Sequence, residues 1–413
     1  MGLSLNSIAT RWFIAKSLAA PIALALPAFS LSAAPPDTTY RLVFADEFNG
    51  PTLDTSKWSA ASPGWTMPNS ASTASASQVS LADGLLTLNA TRTSSTAFSS
   101  GSISSYQKYN FAGGYVEARI QLPTTPGSWP AFWGLYTGWP PEADVMEYPL
   151  TTNGGSSGLA NNQYNTNYHY TNSSGAAAAG AGVVTASANL AGSWHTFGMN
   201  WNPGASMTFY LDGVNVRSYT GSSVAQMVNM YMILDYAVGG WPGTPTTTQW
   251  PIGFSDQTKL DWVRVWQKNP NNDAPSNWTL NGGGTFTTSG NWSLGVPAYG
   301  NQTAVFGRVG SAAAAAITMD AWTVLGGITF NGAGDGTTAY TLGASTSAIQ
   351  LATTSTAGAI VQASSSSTAP QAINAAVELW SNTTFRNDMT GHQLLNFTGV
   401  ISGSGNLTVV GAG

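Results

Sequence analysis

Glu142-Ala143-Asp144-Val145-Met146-Glu147 places three carboxylates within six positions of an otherwise apolar segment. The chain has five Glu in all (47, 117, 142, 147 and 378), and its charged residues amount to 8%. An average soluble protein carries roughly 25%. Crowding acids into one stretch of so weakly charged a chain calls for a reason. Read as a strand, the stretch puts Glu142, Asp144 and Met146 on one face and Glu147 on the other. Two carboxylates that flank one glycosidic bond must share a face. A one-residue bulge between Asp144 and Glu147 would return Glu147 to the side of the other two acids. The Glu142–Glu147 spacing then falls within reach of the ~5 to 5.5 Å separation of retaining glycosidases. In that chemistry Glu142 attacks the anomeric carbon, and Glu147 protonates the leaving oxygen and later activates water. Asp144 between them hydrogen-bonds the nucleophile and helps keep the acid protonated. The bland alternative is an exposed strand of solvated acids.

The flanks favour the chemical reading. Trp129-Pro130-Ala131-Phe132-Trp133 precedes the acids and Trp139-Pro140-Pro141 abuts them. Aromatic faces stack on the apolar faces of sugar rings, although several of the 16 Trp must be ordinary core. Further out, Gly114 to Leu122, Trp194 to Trp201, Met207 to Leu211 and Leu260 to Trp266 read as strands. Turn signals such as Asn202-Pro203-Gly204 and Asp212-Gly213 separate them. Sustained helical periodicity is nearly absent, so the expected class is all-β, a sandwich or barrel. Ser173 to Gly182 and Ala312 to Ala316 are expected to be uninformative, the first a loop.

Composition bounds the partners. A formal charge of -5, a pI near 5 and 13 scattered Lys and Arg argue against nucleic acid and anionic membranes. Without Cys there are neither disulfides nor thiolate metal sites. Arg11 and Lys16, the apolar stretch Ser17 to Leu31 and the small residues Ser32-Ala33-Ala34 have the form of an export signal over residues 1–33. With Pro21 and Pro27 inside it, that stretch is a poor membrane span. The expectation is a monomeric bacterial protein, secreted or held at the cell surface, whose partner is a polysaccharide.

Three segments follow the leader. Residues 38–268 are Trp-rich and hold most of the charge, residues 269–277 form a polar, Pro-bearing linker, and residues 278–413 shift to Gly, Ala, Ser and Thr. The first segment, from Leu42 to Gln267, resembles the laminarinase-like β-glycanases of glycoside hydrolase family 16. The resemblance is carried by Phe44-Ala45-Asp46-Glu47-Phe48-Asn49-Gly50, Gly114-Tyr115-Val116-Glu117-Ala118-Arg119, Trp129 to Trp133 and the acid cluster. His195-Thr196-Phe197-Gly198-Met199-Asn200-Trp201, Phe209-Tyr210-Leu211-Asp212-Gly213, Ala237-Val238-Gly239-Gly240-Trp241-Pro242-Gly243 and Asp261-Trp262-Val263-Arg264-Val265-Trp266 complete it. It implies a concanavalin-like β-jelly-roll sandwich with a cleft on its concave face. It also implies Glu142 as nucleophile, Asp144 as helper and Glu147 as acid/base, the roles the spacing suggests. Glu117, Arg119, Trp129, Trp133 and Trp241 would line the cleft, and His169 would lie near the acid/base. No cofactor is implied for catalysis; a structural calcium ion would be held at Glu47, Gly84 and Asp261, partly through backbone oxygens.

Ala143, Pro141 and Ser102 depart from the family pattern, which usually has a branched aliphatic, Gly and Arg there. No carboxylate is lost, but the sugar is left open. Sulfated galactans would favour clustered cations, and residues 38–268 hold only nine scattered Lys and Arg. A β-1,3- or mixed β-1,3/1,4-glucan therefore fits best, with agarose the galactan least excluded. Asn291-Trp292-Ser293, Thr303-Ala304-Val305-Phe306-Gly307 and Ile401 to Thr408 resemble autotransporter-associated strand repeats, which implies a stacked β-solenoid although no strict period is visible. The end at Gly411-Ala412-Gly413 reads as a repeat edge, expected either of a truncated sequence or of a chain whose next rungs are missing. A secreted endo-β-glucanase is the leading expectation. A lectin-like glycan binder and a structural surface protein are the alternatives.

Overall fold

The computed structural model describes residues 35–411 except 62–66, 68, 137, 153–157, 308–313, 331–336, 345–347 and 390–392. The expected export signal and the final Ala412-Gly413 therefore lie outside the described residues. The described chain is all-β apart from three single-turn 3-10 segments. None of its helices is long and apolar enough to cross a membrane. It forms two compact units, one of residues 44–268 with the segment up to Tyr40, the other of residues 41–43 and 269–413.

The first unit is a sandwich of two largely antiparallel sheets, and strand alternation decides what each face presents. In the ten-stranded sheet, Gly114–Gln121 lies between Trp194–Asn202 and Ser255–Lys268. Val116, Ala118 and Ile120 point one way together with Phe197, Met199, Val263 and Val265, all essentially buried. The other sheet orders Gln163–Thr171, Glu142–Glu147, Ser128–Leu135, Tyr231–Val238 and Ser102–Ser104 side by side. Its Tyr164 meets Phe197 of the first sheet edge-on at 5.1 Å between ring centroids. That contact fixes which faces look inward. Tyr164, Phe132, Leu234, Val145 and Met146 fill the layer between the sheets.

All four strands expected from the sequence are present, three within one residue of the expected bounds and the last extended to Ser255–Lys268. Part of the expected loop at 173–182 is instead strand. Ala177–Ala179 pairs with His169 to Thr171, and Gly182–Thr185 pairs with Gln163 to Thr166. Edge strands need only backbone pairing, so low strand propensity did not prevent it. The Ala-rich stretch near 312–316 opens another strand, Ala314–Met319.

The second unit is a three-sided β-solenoid. Its strands fall in turn on a six-, a five- and a four-stranded sheet, all parallel within the unit. Inward positions stack from rung to rung, as in Ala304–Ile328–Val361–Phe385 and Leu325–Leu351–Leu379. The later rungs do have a period. Ala359 pairs with Thr383 and Thr383 with Leu407, two steps of 24 residues, whereas Gly327 pairs with Ile360 after 33. Unequal turn lengths hide the repeat in the sequence. The residues expected to be a linker group with this unit. Asp273 accepts from Arg41 and Asn269, and Ser276–Asn277 is the first strand of the six-stranded sheet.

Phe197→Ala removes the ring that joins the two layers and should cost the first unit ~3–5 kcal/mol. Urea melts followed by Trp fluorescence would measure it, and a loss under 1 kcal/mol would contradict this account of the core.

Candidate active site

The three acids share one face because the strand that carries them is bulged. Glu142 lies opposite His169 and Asp144 opposite Asn167, and then the register slips so that Glu147 lies opposite Asn165. The same slip occurs against the other neighbour, where Asp144 faces Trp133, Met146 faces Phe132 and Glu147 faces Ala131. Val145 and Met146 thus occupy successive inward places, 3% and 0% exposed. On the opposite face, away from Tyr164, stand Glu142, Asp144, Glu147, Asn165, Asn167 and His169.

Each acid is held by identifiable partners. His169 Nε2 lies 3.2 Å from Glu142 Oε1 and 3.6 Å from Asp144 Oδ2. It is also 2.9 Å from Asn167 Nδ2, and the Trp139 ring sits 5.4 Å from the imidazole. Asn165 Nδ2 donates to Glu147 Oε2 at 2.9 Å. His169, expected near the acid/base, touches the first two acids directly and acts on Glu147 through its field. Along the same face Trp133 Nε1 donates to Asp235 Oδ2 at 3.3 Å. Trp129 meets Trp241 edge-on at 5.6 Å, so these two expected cleft aromatics do stand together.

Burial governs the protonation of these groups. Glu142 is pushed up to about 8, first by burial and then by the charges of Asp144 and Glu147, with His169 opposing. Fully enclosed Asp144 is held well above the usual carboxylate range by burial, Glu147 and Asp235. Burial also raises Glu147, against the pull of Asn165 and His169. Carboxyls packed this closely cannot all ionise near neutrality, so the site retains a proton, as general-acid catalysis requires.

Two expected cleft residues are elsewhere. Glu117 and Arg119 belong to the ten-stranded sheet and alternate with Val116, Ala118 and Ile120, so they face away from the sandwich interior and from the acids. Glu117 is fully buried there, accepts from Tyr115 Oη at 2.8 Å and is pushed up to about 8 by burial. Arg119 pairs with Asp261 and lies over the Trp194 ring. The sequence showed that these residues alternate but not which sheet they join.

The calcium candidates lie near one another. Asp261 raises the proton affinity of Glu47 through its charge, although burial is the main cause. Gly84, at φ +73°, comes so close to the Asn49 side chain that a Cβ there would stand 2.9 Å from Asn49 Oδ1. Arg264 holds both Glu47 oxygens, at 2.7 and 3.0 Å, and Arg119 holds Asp261 Oδ2. Any ion at this place would rely on the other Asp261 oxygen and on backbone carbonyls. Two cleft residues escaped the sequence reading, Asn165 and Asp235. Asp235 was visible as a lone acid in the apolar run Met232 to Val238; Asn165 carried no signal before the register was known.

Raised carboxyls bind protons more tightly in the folded than in the unfolded chain. Their contribution to stability is therefore intact below about pH 4.5 and lost as pH rises toward 8. Glu142→Gln should raise Tm by ~2–4 °C at pH 7.5 and by less at pH 4.5. A lower Tm at pH 7.5, or an equal change at both, would contradict this electrostatic account.

Comparison with known proteins fits this geometry. A family profile described as "Beta-porphyranase A-D, GH16 domain" matches residues 42–268, more than half of the chain. Endo-1,3-1,4-beta-glycanase ExsH of Rhizobium meliloti is 28% identical over 254 residues, 54% of this chain and 51% of that protein. Endo-1,3-1,4-beta-glycanase EglC of the same organism is 30% identical over 206 residues, 47% of this chain and 40% of that one. Beta-porphyranase E of Zobellia galactanivorans is 27% identical, with 54% and 85% covered. The chain thus spans about half the length or less of the two Rhizobium relatives. A Bacteroides ovatus mixed-linkage-glucan protein solved with the product G4G4G3G is 30% identical, with a TM-score of 0.48 over 54% of this chain and all of that one. The bulged acid strand, its aromatic neighbours and the profile match agree: the chain belongs to glycoside hydrolase family 16.

Proposed function

We propose that the protein is an endo-acting hydrolase of a neutral β-glucan, β-1,3- or mixed β-1,3/1,4-linked, and that it cleaves with retention. The observation that carries this reading is the composition of the acid-bearing sheet. Four carboxyls, Asp235 among them, and two Trp, Trp129 and Trp133, share its outer face, and none of its described strands contains a Lys or Arg. A sulfate ester in such a cleft would find no charge-assisted partner among those strands. A neutral sugar needs none. The names of the two Rhizobium relatives support the same pair of linkages. A porphyran- or agarose-type galactan is the second reading, favoured by the description of the family profile.

In the first step Glu142 attacks the anomeric carbon while Glu147 gives its proton to the departing oxygen. In the second, Glu147 takes a proton from water, the resulting hydroxide adds to the same carbon, and Glu142 leaves. His169, beside Glu142 Oε1, supports the nucleophile's anionic form. Asp144, between the two and deeply buried, holds the local proton count up and so favours a protonated Glu147. We place the action outside the cell, a reading supported by the basic-then-apolar pattern of residues 11–31.

Reducing-end release from laminarin, lichenan, agarose and porphyran tests the substrate. Cleavage of the first two, with a loss of at least ~10³-fold in Glu142→Gln, is expected. Tight binding without cleavage would hand the case to the lectin reading, and preference for porphyran to the galactan reading. Proton NMR of the first-formed anomer should show retention, and inversion would exclude double displacement. We further propose that calcium binds at Asp261 with the backbone oxygens of Glu47 and Gly84. Chelation should then lower Tm, and an unchanged Tm would remove the proposal.

A further inference from the structure

Asp235 is a fourth carboxyl on the cleft face, and the catalytic scheme gives it no task. It lies on Tyr231–Val238, two strands from the acids, in a row that runs Glu147, Ala131, Asp235 and Ser102 across four neighbouring strands. The neighbours of Asp235 in that row, Ala131 on one side and Ser102 on the other, are both small, so Ala131 alone separates it from Glu147 along the row. Neighbouring strands are ~4.8 Å apart, which puts the two acids ~10 Å apart at their Cα atoms, with side chains directed to one face. Asp235 is 5% exposed, and its Oδ2 accepts from the Trp133 indole.

The charged and titratable groups that face Asp235 are almost all acidic. From the acid strand come Glu142, Asp144 and Glu147, and from the next strand comes His169, which sits against Glu142 and Asp144. Ser102 and Trp133 are its neutral neighbours on the flanking strands. No Lys or Arg lies on any strand of the sheet. An ionised carboxylate enclosed this way, among like charges and without a cation, is unfavourable. Burial, with the charges of Glu147 and Glu142, pushes Asp235 up to about 7 against the pull of Trp133.

We propose that Asp235 is a specificity-determining residue of the cleft, which the Trp133 indole holds in place and which meets an oxygen of the bound sugar as a neutral carboxylic acid, donating its O–H. The inference rests on the glycanase reading above. In a cleft whose strands carry no cation, a protonated Asp235 adds a donor that a carboxylate could not provide. Sugar hydroxyls accept such a bond, and a buried donor left without its partner costs far more than the bond gains. Ionisation of Asp235 would replace that donor by a negative charge facing the hydroxyl oxygen, and would weaken substrate binding as pH rises.

The test is KM against pH from 5.5 to 8.5 on whichever glycan the wild type cleaves, for wild type, Asp235→Asn and Asp235→Ala. Wild-type KM should rise as pH passes about 7. Asp235→Asn is the isosteric neutral donor, so its KM should stay flat across the range and fall below that of the wild type at pH 8.5. Asp235→Ala should show a KM about tenfold higher at every pH. Equal Tm values for the two variants at pH 6 would separate binding from folding. A flat wild-type KM, or an Asn variant that behaves like the Ala variant, would overturn the assignment while leaving the glycanase reading intact. Failure of the wild type on every glycan would instead strike that reading first.

Discussion

One extra residue in the acid strand is the constraint on which the cleft depends. A regular strand from Glu142 would send Glu147 into the layer between the sheets, where an unpaired carboxylate is costly. The bulge lets Val145 and Met146 both turn inward, and they fill that layer beside Phe132. Glu147 is then free to join Glu142 and Asp144. Packing and chemistry are satisfied by the same irregularity: two apolar side chains gain burial, and three carboxyls gain a common face. Bulges beside active sites commonly re-aim a side chain in this way.

Once the acids share a face, their electrostatics follow from the sheet's composition. Its described strands contain no Lys or Arg, so the main counterweight to the four carboxyls is His169, with Asn165, Trp133 and other neutral groups. The site holds protons at a pH where solvated carboxylates would have lost them. Glu147, raised in the same way, keeps a proton available for general-acid catalysis. That protonation also costs stability, a trade often seen where function needs groups held in an unfavourable state. Three of the cations elsewhere in the unit are tied up structurally: Arg264 on Glu47, Arg119 on Asp261 and Arg92 on backbone carbonyls.

Much of this was legible in the sequence. The bulge followed from alternation and the demand that two acids flank one bond, and the flanking Trp lie where a sugar-binding face needs them. Glu117 and Arg119 misled because alternation assigns a residue to a face, not to a sheet; their neighbours Val116 and Ala118 are the ones that look toward the second layer. Ala177–Ala179 escaped because an edge strand requires hydrogen-bonding partners more than propensity. The 24-residue step of the solenoid was hidden by longer turns between the earlier rungs. Asp235 was visible as an anomaly, but its row with Ala131 and Glu147 exists only after the strands pair out of sequence order.

The central claim is that the bulged strand aims Glu142, and not its neighbours, at the anomeric carbon. Incubation with a 2-deoxy-2-fluoro glucoside bearing a good leaving group should arrest the reaction at the glycosyl-enzyme, and peptide mass mapping would locate the bound sugar. The account predicts a single adduct on Glu142. An adduct on Asp144 or Glu147 would contradict it.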